Sequence, residues 1–141
     1  MDWQAALRTL LLADGPLAAL VSTRIDWVER PQGKALPAVT LQCIADAHDQ
    51  NLKGFEDLQP ARVQYDVWAD SYSDAAAVKN ALIAAAVPAH EGNGHIFARA
   101  MVDLPPRDLP ERLSSGTGQN KAIFRISMDL IHNHAASEEG S

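Results

Sequence analysis

The stretch Ala61-Arg62-Val63-Gln64-Tyr65-Asp66-Val67-Trp68-Ala69 alternates residues of two kinds at every second position. Successive side chains of a β-strand point to opposite faces of the sheet. The alternation therefore predicts a strand whose Ala61, Val63, Tyr65, Val67 and Ala69 face a core. Its other face carries Arg62, Gln64, Asp66 and Trp68. A half-buried sheet is thus expected to run through the middle of the chain.

Residues on both sides of this stretch continue the pattern. Period-two alternation predicts four further strands, at residues 24–28, 38–44, 95–102 and 121–131, the last two as antiparallel neighbours. Ahead of them, helical spacing predicts a first helix, with its apolar stripe at Trp3, Ala6, Leu7, Leu10 and Leu11. Asp2 is positioned to cap this helix, Gly15-Pro16 to end it, and a short helical turn is expected over residues 17–21.

An alanine-rich segment predicts the second principal helix, from an N-cap at Ser73 to Pro88. The order of elements indicates an α+β domain: a mainly antiparallel sheet of about five strands with two principal helices packed on one face. We expect a single domain over residues 1–133 and a disordered tail over residues 134–141. The connections 45–60 and 103–120 are predicted as long loops, which are more often functional than idle.

Composition limits the function classes. The chain has 141 residues, 47% of them apolar and 21% charged, as expected for one globular domain. A formal charge of −6 argues against binding to nucleic acid, which requires a basic face. Cys43 is the only cysteine, so neither a disulfide nor a cysteine-based zinc site can form within the chain. We find no apolar run long enough for a membrane span and no signal peptide, and expect a cytoplasmic protein.

Residues that suggest chemistry each have a simpler interpretation. His132 and His134 form a His-x-His pair at the end of the last strand, but no third metal ligand lies nearby in sequence. Asp66 and Asp70 could form an acid/base pair, although a solvated sheet face is the more common role of such residues. Cys43 fits a buried small apolar side chain. Trp68, a large aromatic on a polar face, instead indicates a protein contact.

Short sequence segments spread along the chain resemble those of the tail-completion, or tail-terminator, proteins of long-tailed bacteriophages and prophage-derived particles. The resemblance extends over residues 1–131 and is carried by Ala6-Leu7-Arg8-Thr9-Leu10-Leu11-Leu12-Ala13-Asp14, Leu17-Ala18-Ala19-Leu20-Val21, Thr23-Arg24-Ile25, Leu36-Pro37-Ala38-Val39-Thr40-Leu41, the strand 61–69, and Ser73-Asp74-Ala75-Ala76-Ala77-Val78. The proline-rich stretch 104–110 and the acidic tail at Glu138-Glu139 depart from a minimal member of that family.

The resemblance implies a structural virion protein of the tail neck, made in the host cytoplasm. Such a protein forms a ring, usually a hexamer, that ends tail-tube polymerisation and contacts the tail tube protein and the head-tail connector. The resemblance brings no catalytic residues, cofactor or metal. A stand-alone protein-interaction module, or a small enzyme using Asp66 and Asp70, remains the alternative. The candidate interface residues are Lys53, Phe55, Arg62, Trp68, Arg107 and Arg112.

Overall fold

The structure is a computed structural model that describes residues 2–28, 36–46, 59–108, 111–114 and 120–136. Within these ranges it contains three helices, α1 (Trp3–Leu12), α2 (Gly15–Val21) and α3 (Tyr72–Ala86). The strands in the same ranges are β1 (Ile25–Trp27), β2 (Ala38–Asp46), β3 (Gln59–Ala69), β4 (His90–Gly92), β5 (His95–Phe97), β6 (Met101–Asp108), β7 (Glu111–Ser114) and β8 (Asn120–Ala136).

The long strand β8 is the centre of the sheet. On one side it pairs antiparallel with β3, which pairs antiparallel with β2, and β1 joins β2 in parallel at that edge. On its other side β8 pairs in succession with β7, β6 and β5, and β4 extends β5. The sheet therefore ends at β1 on one side and at β4, β6 and β7 on the other, within the described residues.

The helices begin where short polar side chains satisfy their first backbone donors. Asp2 accepts a hydrogen bond from the Ala5 amide at 2.7 Å, and Asp14 accepts one from the Leu17 amide at 3.0 Å. Ser71, and not the predicted Ser73, is the N-cap of α3. Gly15-Pro16 opens α2 as well as following α1, because proline is well tolerated in a first helical turn.

The core lies between the helices and one face of the sheet, which we call the inner face. On this face Tyr65 of β3 lies between Leu41 of β2 and Met128 of β8, and all three are at most 1% exposed. The alternating residues of β3 that were predicted to be buried, from Ala61 to Ala69, are all buried. Small residues of α3, such as Ala75 and Ala85, are also buried and allow the helix to approach the sheet closely.

The structure confirms a mixed α/β fold with a mainly antiparallel sheet, but the predicted number of elements is too low. The single strand expected at residues 95–102 is wrong: β5 ends at Phe97 and β6 begins at Met101. The expected loop 103–120 contains most of β6 and all of β7, and β8 continues to Ala136, beyond the predicted boundary at residue 133. The predicted disorder of residues 137–141 lies outside the described residues.

The described helices differ in how far their length and apolarity approach those of a membrane span. None of them taken singly has the length and apolarity that a span needs, and only α1 and α2 counted together reach both, across an 86° bend.

Adjacent residues of β8 test the assignment of the two faces. Leu130 is fully buried on the inner face, whereas Ile131 lies on the other face and is only partly buried. We expect Leu130→Ala to lower the free energy of unfolding by about 2–5 kcal/mol, since it leaves a core cavity. Ile131→Ala should cost clearly less. Urea unfolding of both variants measures the difference, and equal losses would contradict the face assignment.

Candidate functional site

The face of the sheet opposite the core, here called the outer face, carries an aromatic and ionic cluster. Asp66 of β3 is 5% exposed and accepts hydrogen bonds from Arg125 Nε at 3.1 Å and from Gln64 Nε2 at 3.0 Å. The Arg125 guanidinium lies 4.9 Å from the ring centroid of Trp68. Trp68 in turn donates its indole N–H to Thr40 at 3.1 Å. Trp68 is half-buried, and these contacts tie its ring to Thr40 of β2 and Arg125 of β8.

A second ionic cluster on the outer face is centred on Asp129 of β8. This carboxylate is 3% exposed and lies 3.3 Å from Arg62 Nε and 3.7 Å from Arg107 of β6. Arg62 also pairs with Asp103 at 2.7 Å, and Arg107 donates to the Ser127 hydroxyl at 3.3 Å. Two cations and two carboxylates thus balance one another within the chain and join β3, β8 and β6.

The carboxylate pair considered from the sequence does not form an acid/base site in this geometry. Both oxygens of Asp66 are occupied by Gln64 and Arg125, whereas Asp70 lies beyond the end of β3 and is exposed. The prediction that Asp66 lies on a solvated face is wrong, because Asp66 is buried. In the described part of the chain, no cluster of three histidine, cysteine, aspartate or glutamate side chains is arranged to hold a metal ion.

The edge strand β6 exposes apolar side chains on both of its faces. Val102 is opposite the core residue Leu130 and is 50% exposed, whereas Met101 and Leu104 are opposite Ile131 and Asp129 and are 57% and 38% exposed. Paired residues of neighbouring strands share a face. Within the described residues β6 pairs only with β8. The strand therefore presents apolar surface on both sides at one end of the sheet.

A second apolar surface lies at the opposite end of the sheet, beside β1. Val28 is 72% exposed and Ile44 of β2 is 44% exposed. Val28 has a φ of 77°, a conformation that a β-branched residue seldom adopts. Next to it is a cleft of about 550 Å³ whose walls come from α1, β1 and β2, with Arg8 and Trp27 among the lining residues.

Several aromatic rings and histidines are packed together at the end of β8 on the inner face. Tyr65 and His132 are buried, and the Tyr65 hydroxyl lies 2.5 Å from His132 Nε2. The ring of His134, 7% exposed, stacks on Trp3 of α1 with centroids 4.6 Å apart. Burial lowers the pKa of His132 to about 4, with smaller contributions from repulsion by His134 and His90. Burial also raises the pKa of Tyr65.

The predicted interface residues have different locations. Arg62 and Arg107 meet on Asp129, and Trp68 lies beside Arg125, so all three take part in contacts within the chain itself. Arg112 belongs to β7, but its side chain lies outside the described part, and Lys53 and Phe55 lie outside the described residues altogether. Cys43 is partly exposed, not buried as expected.

Sequence reasoning missed β6 as a surface strand. Its alternation breaks at Pro105 and Pro106, and two register shifts interrupt its pairing with β8. The apolar pair Met101-Val102 shortly ahead of a proline-rich segment was the available signal, because such a segment cannot enter a central strand.

A curled, mainly antiparallel sheet with helices on its inner face, paired charges on its outer face and apolar surfaces at both ends defines an α+β protein suited to assembly with other proteins. Comparison with solved structures agrees with this fold. A chain from the virion of the native gene transfer agent (GTA) particle is similar in fold, with a TM-score of 0.62 and 24% sequence identity over 94% of this chain and 93% of that chain. A search of curated proteins finds no match.

The sequence model of the tail completion protein gp17 family matches residues 5–105. The chain belongs to this family, as the resemblance predicted. It is therefore a phage-like tail protein of the structural, virion-forming kind.

The Asp129 cluster predicts unequal roles for its two carboxylates. We expect Asp129→Asn to lower the free energy of unfolding by about 1–2 kcal/mol, because it leaves Arg62 and Arg107 close together without the buried countercharge. Asp103→Asn, at a half-exposed carboxylate, should cost less than about 0.5 kcal/mol. Chemical denaturation at pH 7 compares them. A loss at Asp103 equal to that at Asp129 would contradict the central place of Asp129.

Proposed function

We propose that the chain is a tail terminator: a subunit of a ring, six-fold as in the resemblance, that sits on the head-proximal end of the tail tube. The ring ends tube polymerisation and joins the tail to the capsid connector. Membership of the tail completion family supports a role at the end of the tail. Beyond family membership, we propose that the chain forms a ring, that the ring contacts the tube protein and the connector, and that it lies in the neck.

The observation that carries this proposal is the exposure of β6 on both faces. Apolar side chains on a single face of an edge strand are covered in many proteins by a helix of the same domain. Here Val102 points to the side of the helices and Met101 to the opposite side, yet each is at least half exposed. Contact with a neighbouring subunit would remove both side chains from water, with a gain of about 25 cal/mol per Å² of apolar area.

A cyclic ring requires two different surfaces on each subunit, one for each neighbour. The surface of β6 and the surface formed by Val28 and Ile44 lie at opposite ends of the same sheet. One copy can therefore present its β6 to the β1 end of the next copy, and the arrangement can repeat until it closes. The cleft beside Trp27 provides a recess next to the exposed Val28.

The outer face is then left for contacts with the tail tube or the connector. Trp68, supported from below by Thr40 and covered by Arg125, is a rigid aromatic of the type that anchors protein interfaces. Arg62 and Arg107 belong to the same face, and we retain Lys53, Phe55 and Arg112 as proposed contacts. The net charge of −6 per subunit makes a ring strongly acidic, which favours passage of DNA without adhesion.

Native mass spectrometry over rising protein concentration, followed by an assay for capping of purified tail tubes, tests this proposal. A discrete closed oligomer, or a monomer that closes on the tube end and stops elongation, is the expected result. A chain that stays monomeric in solution and leaves tube elongation unchanged would overturn the proposal in favour of a stand-alone interaction module.

A charge placed on β6 should prevent ring formation. We expect Val102→Glu to weaken self-association or tube capping at least tenfold, since the carboxylate would have to be buried at the subunit contact. Ala77→Glu adds the same charge on the exposed side of α3 and serves as the matched control. Circular dichroism checks that both variants are folded. Equal capping by Val102→Glu and the control would show that β6 is not the contact.

A substitution at Val28 distinguishes an effect on folding from an effect on assembly at the β1 end of the sheet. Val28→Gly relieves the unfavourable positive φ at this position. The amide of residue 28 donates to the Leu41 carbonyl at 2.7 Å in the wild type, and glycine keeps this donor. We expect the isolated subunit to be as stable as the wild type, or more stable by up to about 1 kcal/mol, while the oligomer weakens. Thermal unfolding and native mass spectrometry measure the two effects. An oligomer of undiminished affinity would argue against a contact at Val28.

A further inference from the structure

The end of β8 contains an arrangement that the proposed ring does not use. Tyr65 and His132 hydrogen-bond to each other at full burial. Among the described residues His132 Nδ1 has no hydrogen-bond partner. If Nδ1 carries the proton, Nε2 accepts from the Tyr65 hydroxyl and one donor is left unsatisfied. The opposite tautomer leaves both Nδ1 and the Tyr65 O–H unsatisfied, so we assign the Nδ1–H tautomer.

Ring contacts surround this pair and extend to neighbouring elements of the fold. Phe97 of β5 places its ring 6.3 Å from that of His132 and 6.1 Å from that of His134. His134 stacks on Trp3, the first residue of α1, and Trp3 meets Trp27 edge-on at 5.7 Å. His90 of β4 lies 2.7 Å from the Ala85 carbonyl at the end of α3.

We propose that Tyr65, His132 and His134 form a proton-sensitive latch that holds the start of α1 and the β4–β5 hairpin against β8, and that uptake of a proton by His132 releases them.

Among the described residues, none of the titratable groups around His132 supplies a negative charge that would compensate a protonated ring. Tyr65 faces it from β3, His134 from its own strand and His90 from β4, while His95 lies on β5 beside Phe97. In the described residues no carboxylate forms an ion pair or hydrogen bond with His132. Asp129 and Asp103 are on the outer face with Arg62. Protonation of His132 would also place a proton on Nε2. This nitrogen could then no longer accept the hydrogen bond from the Tyr65 hydroxyl.

The direction of the pH effect follows from the lowered pKa of His132. Its value in the closed state is about 4, against an ordinary value of 6.5 in the opened state. The opened state therefore binds the proton more tightly than the closed state does. The stabilisation of the closed state by neutral His132 is complete above pH 6.5 and declines as the pH falls toward 4. Between pH 7.5 and pH 5 the opening equilibrium constant should rise about 30-fold.

Amide hydrogen exchange, corrected for the intrinsic pH dependence of the exchange rate, tests the latch in the full chain. We expect protection factors at Ile96, Phe97 and the first turn of α1 to fall about 30-fold from pH 7.5 to pH 5. Protection in the middle of β2 and β3 should change less than threefold. A local change below threefold, or an equal loss throughout the molecule, would overturn the proposal.

Two variants identify the group responsible. His132→Gln keeps an acceptor for the Tyr65 hydroxyl and removes the titrating ring, so the 30-fold change should fall below threefold. Asp103→Asn removes a carboxylate on the outer face, away from His132, and should keep the full change. Retention of the change in His132→Gln, or its loss in Asp103→Asn, would overturn the assignment.

If His132→Gln does not fold, the ¹⁵N chemical shifts of the His132 ring in the wild-type protein test the proposal, because they report its protonation state. The latch requires a neutral His132 with a protonated Nδ1 at pH 6 while the hairpin amides remain protected. A charged His132 ring in that protected state would refute the proposal.

Discussion

The pairing of β3 with β8 is the constraint on which the rest of the structure depends. The two strands are in antiparallel register from Gln59↔His134 to Ala69↔Phe124, along the whole of β3. Because side chains alternate with a period of two, a slip of one residue would move Tyr65 to the outer face and Asp66 into the core. The helices cover the inner side of this pair, and β6 is placed by its pairing with the far edge of β8.

This register separates three regions of the molecule, two on its surface and one buried, and the separation suits the proposed assembly. On the outer face, Asp66 and Asp129 neutralise the arginines around them within the subunit, so that face is rigid and its charges are largely balanced. Apolar side chains are left exposed at the two ends of the sheet, on β6 and at Val28. The end of β8 carries the buried Tyr65 and His132 pair, whose stability depends on keeping protons out.

The parts of the fold that were predictable are those in which one periodicity repeats. Val63 and Val67 fix the strand β3, and Leu7 and Leu11 fix the buried side of α1, because each pattern admits one face. β6 was not predictable because Pro105 and Pro106 favour a turn. An edge strand accepts them, since it needs amide donors on one side only. The burial of Asp66 depends on Arg125, 59 residues away in sequence, and no local pattern reports such a pairing. His134 was assigned to the tail because residues 134–141 are polar, and its contact, Trp3, lies at the other end of the chain, where no local pattern reports it.

The most direct test of the central claim is thiol cross-linking between subunits bound to purified tail tubes. In a Cys43→Ser background, Val28→Cys and Val102→Cys place one thiol at each end of the sheet. With a bismaleimide, the double variant should yield a ladder of oligomers that ends in one closed species, and neither single variant should cross-link. Efficient dimers from Val102→Cys alone would mean that like surfaces meet. That result would contradict a ring built from β6 of one subunit and the β1 end of the next.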